Sequence, residues 1–378
     1  TKPLFKIILV IALISLSFVK SDFPAADYSS EIQRHGSNFD TKNNNNLNLA
    51  YFTPWNKEGQ LLVTKYAKKV DIASPVWFDL KPEMLQGKYN TNIDGSNYID
   101  KDLIKSLKES NPDVQIIPRF QCQGFSADTL SHMVSEKNAD KLVKAITKRV
   151  KFSKFDGANI DCTHFWFSED IYPLYVSFQQ KLFSELQKLK KKLIITMYPS
   201  SNVLSNILSK AKFEYLSRYT SYIVLMTYDY LHYFQNENPK DIELKNSPHP
   251  WVQETLDYYI DVKKASSEQL YQKVLVGCSF HGFIMDLAEV QKLKGNILEG
   301  KRLKEVAEVE AVNGNKLIWD EKDKEHTIFI DNDSSQYKAV VPSSRMIQER
   351  VKLINGLKLG GMAIWEVGQG YESWMDEI

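Results

Sequence analysis

The chain has 378 residues, with 48 Lys and Arg against 47 Asp and Glu, so its formal charge is only +1. That balance argues against nucleic acid as the main partner, because phosphate binding usually needs a net basic face. Nineteen Tyr, nineteen Phe and seven Trp supply a large core and exclude a disordered chain. The length suits two domains or one α/β barrel with insertions.

In chain order, Lys2 and Lys6 precede the apolar run Ile7 to Val19. Those thirteen residues are too few to span a bilayer as a helix, which takes ~20. A positive start, a short apolar stretch and a small-residue exit at Ser21 predict a secretory signal over 1–21. Such a chain, once cleaved, would have no membrane attachment, and it would be secreted or lysosomal. Residues 22–46 are polar and end in four asparagines, Asn43 to Asn46, which predicts an unstructured tether. The sequon Asn332-Asp333-Ser334 fits a secretory route.

From Leu47 onward, apolar runs alternate with amphipathic stretches. The runs at 47–53, 70–77, 114–120, 155–162, 193–198, 222–228, 274–280 and 361–365 are near-continuously apolar, as parallel strands covered on both faces should be. Apolar residues at spacings of three and four predict helices over 101–109, 139–150, 172–190, 203–215 and 343–355. Eight strands alternating with helices predict an α/β fold, a (β/α)8 TIM barrel over 47–378. Between the last two strands, residues 284–342 are too long for one crossover. Runs at 316–319, 326–331 and 336–340 predict a small α+β insertion there, with an independent domain as the alternative.

Ligands of this architecture bind at the C-terminal ends of the strands. On the fourth strand Asn159, Asp161 and Thr163 share one face, while Ala158, Ile160 and Cys162 share the other. The apolar set suits the helix ring, so the polar set faces the barrel interior. An inward Asp is costly unless it is hydrogen-bonded or serves a ligand. The sixth strand ends Met226-Thr227-Tyr228-Asp229, and the eighth ends in Trp365-Glu366. A Trp at the mouth offers a flat face to a sugar ring. Carboxylates, a phenol and a Trp at three strand ends together suggest carbohydrate.

The stretch Asp156-Gly157-x-Asn159-x-Asp161-x-Thr163 resembles the Asp-Gly-x-Asp-x-Asp-x-Glu signature of family 18 glycoside hydrolases, the chitinases. Met226-x-Tyr228-Asp229 and Trp365 are similar to that family's other two hallmarks. The first strand Tyr51-x-Thr53-Pro54-Trp55-Asn56, Ser74-Pro75-Val76-Trp77 and Trp365-Glu366-x-Gly368-Gln369-Gly370 resemble the stabilin-interacting, chitinase domain-containing branch. The resemblance implies a substrate-assisted mechanism in active members, with the last Glu of the signature as general acid. It implies that Asp161 orients an N-acetyl group and Tyr228 binds its carbonyl.

The acid's position here is Thr163, whose hydroxyl cannot serve as a general acid near neutrality. The reading is therefore a non-catalytic lectin for chitooligosaccharides or related N-acetylated glycans, with no cofactor. Its candidate contacts are Trp365, Tyr228, Asp161, Asp229, Tyr51, Trp77 and Met226. Two other readings stay open: a weak or altered-specificity glycosidase using another acid, and a scaffold for a protein partner such as an endocytic receptor. His164 and Glu366 are expected to point away from the cavity, and Asp156 and Asn159 to hold strand and loop.

The basic run at 188–192 reads as the C-terminal cap of a helix. No His or Cys spacing implies a metal. The third and seventh strands are not neighbours in an eight-stranded barrel, so Cys122 and Cys278 cannot pair. Cys162 reads as a small buried hydrophobe, and no disulfide is expected in the core.

Overall fold

The structure, a computed structural model, describes residues 34–43, 45–86, 88–163, 169–199, 208–233, 244–260, 268–287, 296–298, 303, 317–332 and 335–378. The expected signal segment lies outside the described residues, as do His164 and two residues of the sequon.

Seven of the eight barrel positions are single strands: β1 (Leu47–Phe52), β2 (Ile72–Leu85), β6 (Gly157–Asp161), β7 (Lys192–Met197), β8 (Tyr222–Leu225), β9 (Val274–Ser279) and β15 (Gly361–Trp365). The third position is shared by β4 (Gln115–Ile116) and β5 (Arg119–Cys122). Pro118 sits between those two pieces and has no N–H for the ladder, so pairing with β2 breaks there. All neighbouring barrel strands run parallel, and β1 pairs with both β15 and β2, which closes the ring. This is the expected (β/α)8 barrel. Its interior is filled by Leu49, Ile72, Val76, Ile117, Ile194, Val224 and Leu275, while a second, larger core lies between strands and helices.

The helices predicted at 101–109, 139–150, 172–190 and 343–355 appear as Lys101–Ser110, Glu136–Phe152, Tyr172–Lys188 and Ser344–Gly356. Of the helix predicted over 203–215, residues 208–215 are described, and the helix there runs over Lys210–Ser217. Each expected insertion strand is present: β12 (Leu317–Asp320), β13 (Glu325–Asn332) and β14 (Ser335–Val341). With β10 (Gly282–Asp286) and β11 (Asn296–Leu298) they form an antiparallel sheet in the order β11-β10-β14-β13-β12.

Three findings depart from the sequence reading. The described residues 34–43 and 45–46 are not a loose tether. The Asp376 carboxylate accepts the backbone N–H groups of Ser37 and Asn38, Lys42 pairs with Asp71 at 2.7 Å, and the N–H of Asn43 donates to the carbonyl of Ile378. A polar segment with little apolar area is here ordered by acceptors that only the folded barrel presents.

The second departure is a hairpin. Strand β2 runs on past the barrel to Leu85 and turns into β3 (Lys88–Asp94), which pairs antiparallel with it.

The third is a disulfide between Cys122 and Cys162. Strands β5 and β6 are adjacent, and the register Phe120↔Ile160, Gln121↔Asp161 carries Cys122 opposite Cys162. The expectation of no disulfide fails because neighbouring parallel strands place two outward cysteines side by side. Cys278 remains a buried free thiol.

Candidate ligand-binding site

Strand β6 and the two residues after it deliver Asn159, Asp161 and Thr163 inward, as alternation requires, and each meets a different partner. Asn159 donates through Nδ2 to Tyr51 Oη at 2.7 Å and to Ser74 Oγ at 3.3 Å. Its Oδ1 accepts from Thr196 Oγ1 at 3.4 Å. The fully buried Asn159 therefore ties four strands together below the mouth. Burial pushes the Tyr51 phenol up to about 12, so it remains a neutral donor and acceptor. Asp156 accepts the Ile116 N–H and lies against Lys108 and Lys191, which leaves it on the strand and loop as expected.

Asp161 lies one layer higher. Its Oδ2 accepts from Nε of Arg119 at 2.6 Å and also from Nη2 of the same guanidinium. Arg119 Nη1 donates to Gln121 Oε1 at 3.0 Å, and its guanidinium lies over the Trp365 ring, 4.6 Å from the centroid. Tyr51 meets that indole edge-on with ring centroids 5.3 Å apart. Asp161 Oδ1 makes no hydrogen bond among the described residues. Thr163, the third inward residue, donates from Oγ1 to Tyr198 Oη at 3.1 Å.

The segment that follows β8 supplies Met226, Tyr228 and Asp229. Tyr228 is almost wholly buried, and that burial raises its phenol well above the ordinary value. Its ring occupies space left by Gly277 on β9, where an added Cβ would lie 2.8 Å from Tyr228 Cε1 and 2.5 Å from the Leu225 carbonyl. Asp229 follows in the left-handed region, at φ 63°. Its Oδ1 is 2.7 Å from His281 Nε2, and its N–H donates to Asn246 Oδ1 at 2.9 Å.

These side chains enclose a cavity of about 290 Å3 at the C-terminal mouth. That volume is near the lower end of the ~300–1,000 Å3 typical of small-molecule sites. Six of the seven predicted contacts line it, namely Tyr51, Asp161, Met226, Tyr228, Asp229 and Trp365, together with Thr163. Trp77 does not. The pairing of β2 with β5 slips by one residue between Val76 and Phe78, a β-bulge that turns Trp77 out of the barrel. It packs on Phe155 in the layer beneath the helices, 5.9 Å between ring centroids. Glu366 also points away, accepting from Asn56 Nδ2 at 2.8 Å and from the Gly368 N–H.

Arg119, Gln121, Cys122, Thr196, Tyr198 and Tyr233 also line the cavity, and sequence reasoning missed them. Arg119 carried a signal that could have found it, a charge inside an otherwise apolar strand, the same signal that marked Asp161. Among the described residues no cluster of His, Cys, Asp and Glu could hold a metal ion.

Residues 36–370 match the family model of the glycosyl hydrolases family 18. The chain belongs to that family. The family 18 fold is also found among solved structures. The chitinase from Chromobacterium violaceum ATCC 12472 superposes with a TM-score of 0.68 at 18% identity, covering 88% of this chain and 97% of that one. The spore cortex-lytic enzyme SleL of Bacillus megaterium gives 0.67 at 17% identity, over 88% and 73% of the two chains. An immunomodulatory active chitinase from Trichuris suis gives 0.65 at 13% identity, over 86% and 92%. At such identities the likeness speaks to the fold, and what this family 18 cavity does must be argued from its own residues.

Proposed function

We propose that this family 18 barrel is a non-catalytic chitinase-like lectin. It binds chitooligosaccharides or related N-acetylated glycans in the cavity at its mouth. We also place it on the secretory route, secreted or lysosomal, in the stabilin-interacting branch that its motifs resemble.

The observation that carries the reading is Thr163. It stands where the family signature has its general acid, and its hydroxyl is spent on Tyr198. Among the described residues, the carboxyl groups that line the cavity are those of Asp161 and Asp229. Oδ2 of Asp161 accepts two N–H groups from Arg119, which leaves no room for a proton on that oxygen. Oδ1 of Asp229 faces the imidazole Nε2 of His281. Neither group occupies the signature position of the general acid, and general acid–base help is worth ~10²–10⁴-fold in rate.

Binding groups, in contrast, are retained. Oδ1 of Asp161 is open to accept an N–H, and the Tyr228 hydroxyl, with no partner among the described residues, can donate to a carbonyl. That pair complements an acetamido group beside the Trp365 indole. Trp365→Ala should weaken the N-acetylglucosamine trimer at least about tenfold in a calorimetric titration. Unchanged affinity in that variant would show that the cavity is not the glycan site.

A further inference from the structure

The insertion sheet reaches the cavity wall through a chain of buried hydrogen bonds. Glu325, at the start of β13, is 3% exposed. Its Oε1 accepts the N–H of Ser247 at 2.7 Å and that of Asn246 at 3.2 Å. Asn246, so anchored, has its whole side chain engaged. Nδ2 donates to Ser279 Oγ at 2.9 Å and to the His281 carbonyl at 2.7 Å, while Oδ1 accepts the N–H of Asp229. The Asn246 carbonyl accepts the N–H of Tyr230. From the other side, Arg350 Nη2 donates to the carbonyl and hydroxyl of Ser247.

The consequence falls on Asp229. A non-glycine residue at φ 63° is held there only when its surroundings over-determine it. Asn246 grips its backbone and His281 its Oδ1, and both grips converge on the segment that Glu325 clamps.

We propose that Glu325 is a positioning residue of the ligand cavity: through Asn246 it holds Asp229 in the left-handed conformation that turns its second carboxylate oxygen toward a bound glycan. The proposal rests on the glycan-binding reading of this cavity for its functional meaning, and on the hydrogen-bond chain for its geometry. Removing the Glu325 carboxylate strands two buried N–H groups, and the segment around Asn246 must then shift to find partners.

The test uses the whole chain and two readouts, hydrogen exchange at the Asp229 amide and calorimetric affinity for the N-acetylglucosamine trimer. Glu325→Ala should speed exchange at Asp229 by about tenfold or more while leaving Ile160 unchanged, and should weaken the trimer by about tenfold. Glu325→Gln keeps the accepting oxygen and should stay within about twofold of wild type on both counts. In an Asp229→Ala background, Glu325→Ala should cost no further affinity.

Unchanged protection at Asp229, or an affinity loss that persists in the Asp229→Ala background, overturns the proposal. If Glu325→Ala does not fold, Asn246→Ala, which leaves the Glu325–Ser247 bond in place, must give the same loss of protection. Protection retained there also overturns it. Should wild type bind no trimer, the glycan reading fails, and exchange at Asp229 still decides whether Glu325 positions it.

Discussion

Breaking the Arg119–Asp161 pair tests the geometry of the cavity floor most severely. Arg119 is 9% exposed and Asp161 7%, and the 2.6 Å contact from Nε is one of two donated to the same oxygen. Removing one partner of a buried pair typically costs ~3–5 kcal/mol, because the remaining charge is left in a poorly solvated place. Both side chains keep a little exposure at the mouth, so Arg119→Met should lose about 3 kcal/mol, with the methionine keeping apolar contact with Trp365. Asp161→Asn should lose a similar amount by leaving the guanidinium without its anion. The double variant, which removes both charges, should recover about 2 kcal/mol relative to the sum of the singles. Urea unfolding followed by tryptophan fluorescence reads all four proteins. Single losses below about 1 kcal/mol that simply add would refute a tight buried pair.

Other outcomes follow from the same structure. Thiol labelling of unfolded, unreduced protein should find one reactive cysteine, Cys278, and three would refute the disulfide. Closing a loop of separation 40 restrains the unfolded chain, so Cys122→Ser with Cys162→Ser should lower stability by ~4 kcal/mol on the chain-entropy model. Burial pushes Glu325 up to about 7, opposed by its backbone N–H bonds and Arg350 and reinforced by Asp323, which pairs with Lys245. The folded state thus holds this proton more tightly than the unfolded chain. Its contribution to stability is complete below about 4.5 and is lost as pH rises through about 7, a span of ~3 kcal/mol. Burial pushes His326 down to about 3 and gives the opposite slope below its ordinary value, so the wild-type stability must be compared with Glu325→Gln at each pH. A constant difference between pH 4.5 and 7 would show that Glu325 is not the source. Gly277→Ala drives a methyl against the Leu225 carbonyl and the Tyr228 ring, and should cost ~1–3 kcal/mol together with glycan affinity. Full stability would show that the ring has room to move.

The barrel was legible because each strand is an apolar run of the right length, and β1 and β15 begin or end within a residue of their predicted positions. The inward set on β6 was legible from strict alternation. Trp77 was chosen as an aromatic at the second strand end, and the bulge that turns it out depends on how β2 meets β5. Cys122 and Cys162 were misjudged because only the distant pair with Cys278 was weighed, although the third and fourth strands are neighbours. Hairpin strand β3 is polar and exposed, so no hydrophobic pattern announces it. Residues 34–43 dock through hydrogen bonds to the far end of the chain, which composition cannot reveal. Arg119 on β5, Tyr198 just after β7 and Tyr233 on a short helix reach the cavity from separate elements, and only the closed ring brings them together.

Binding without cleavage is tested most directly by a calorimetric titration with N-acetylglucosamine oligomers, in which the recovered sugar is analysed for cleavage. Saturable binding with the oligomer returned intact is expected, since Thr163 offers no proton and Asp161 is tied to Arg119. Accumulating shorter sugars in wild type, abolished by Asp161→Ala, would show that another acid works in this barrel and would contradict that expectation.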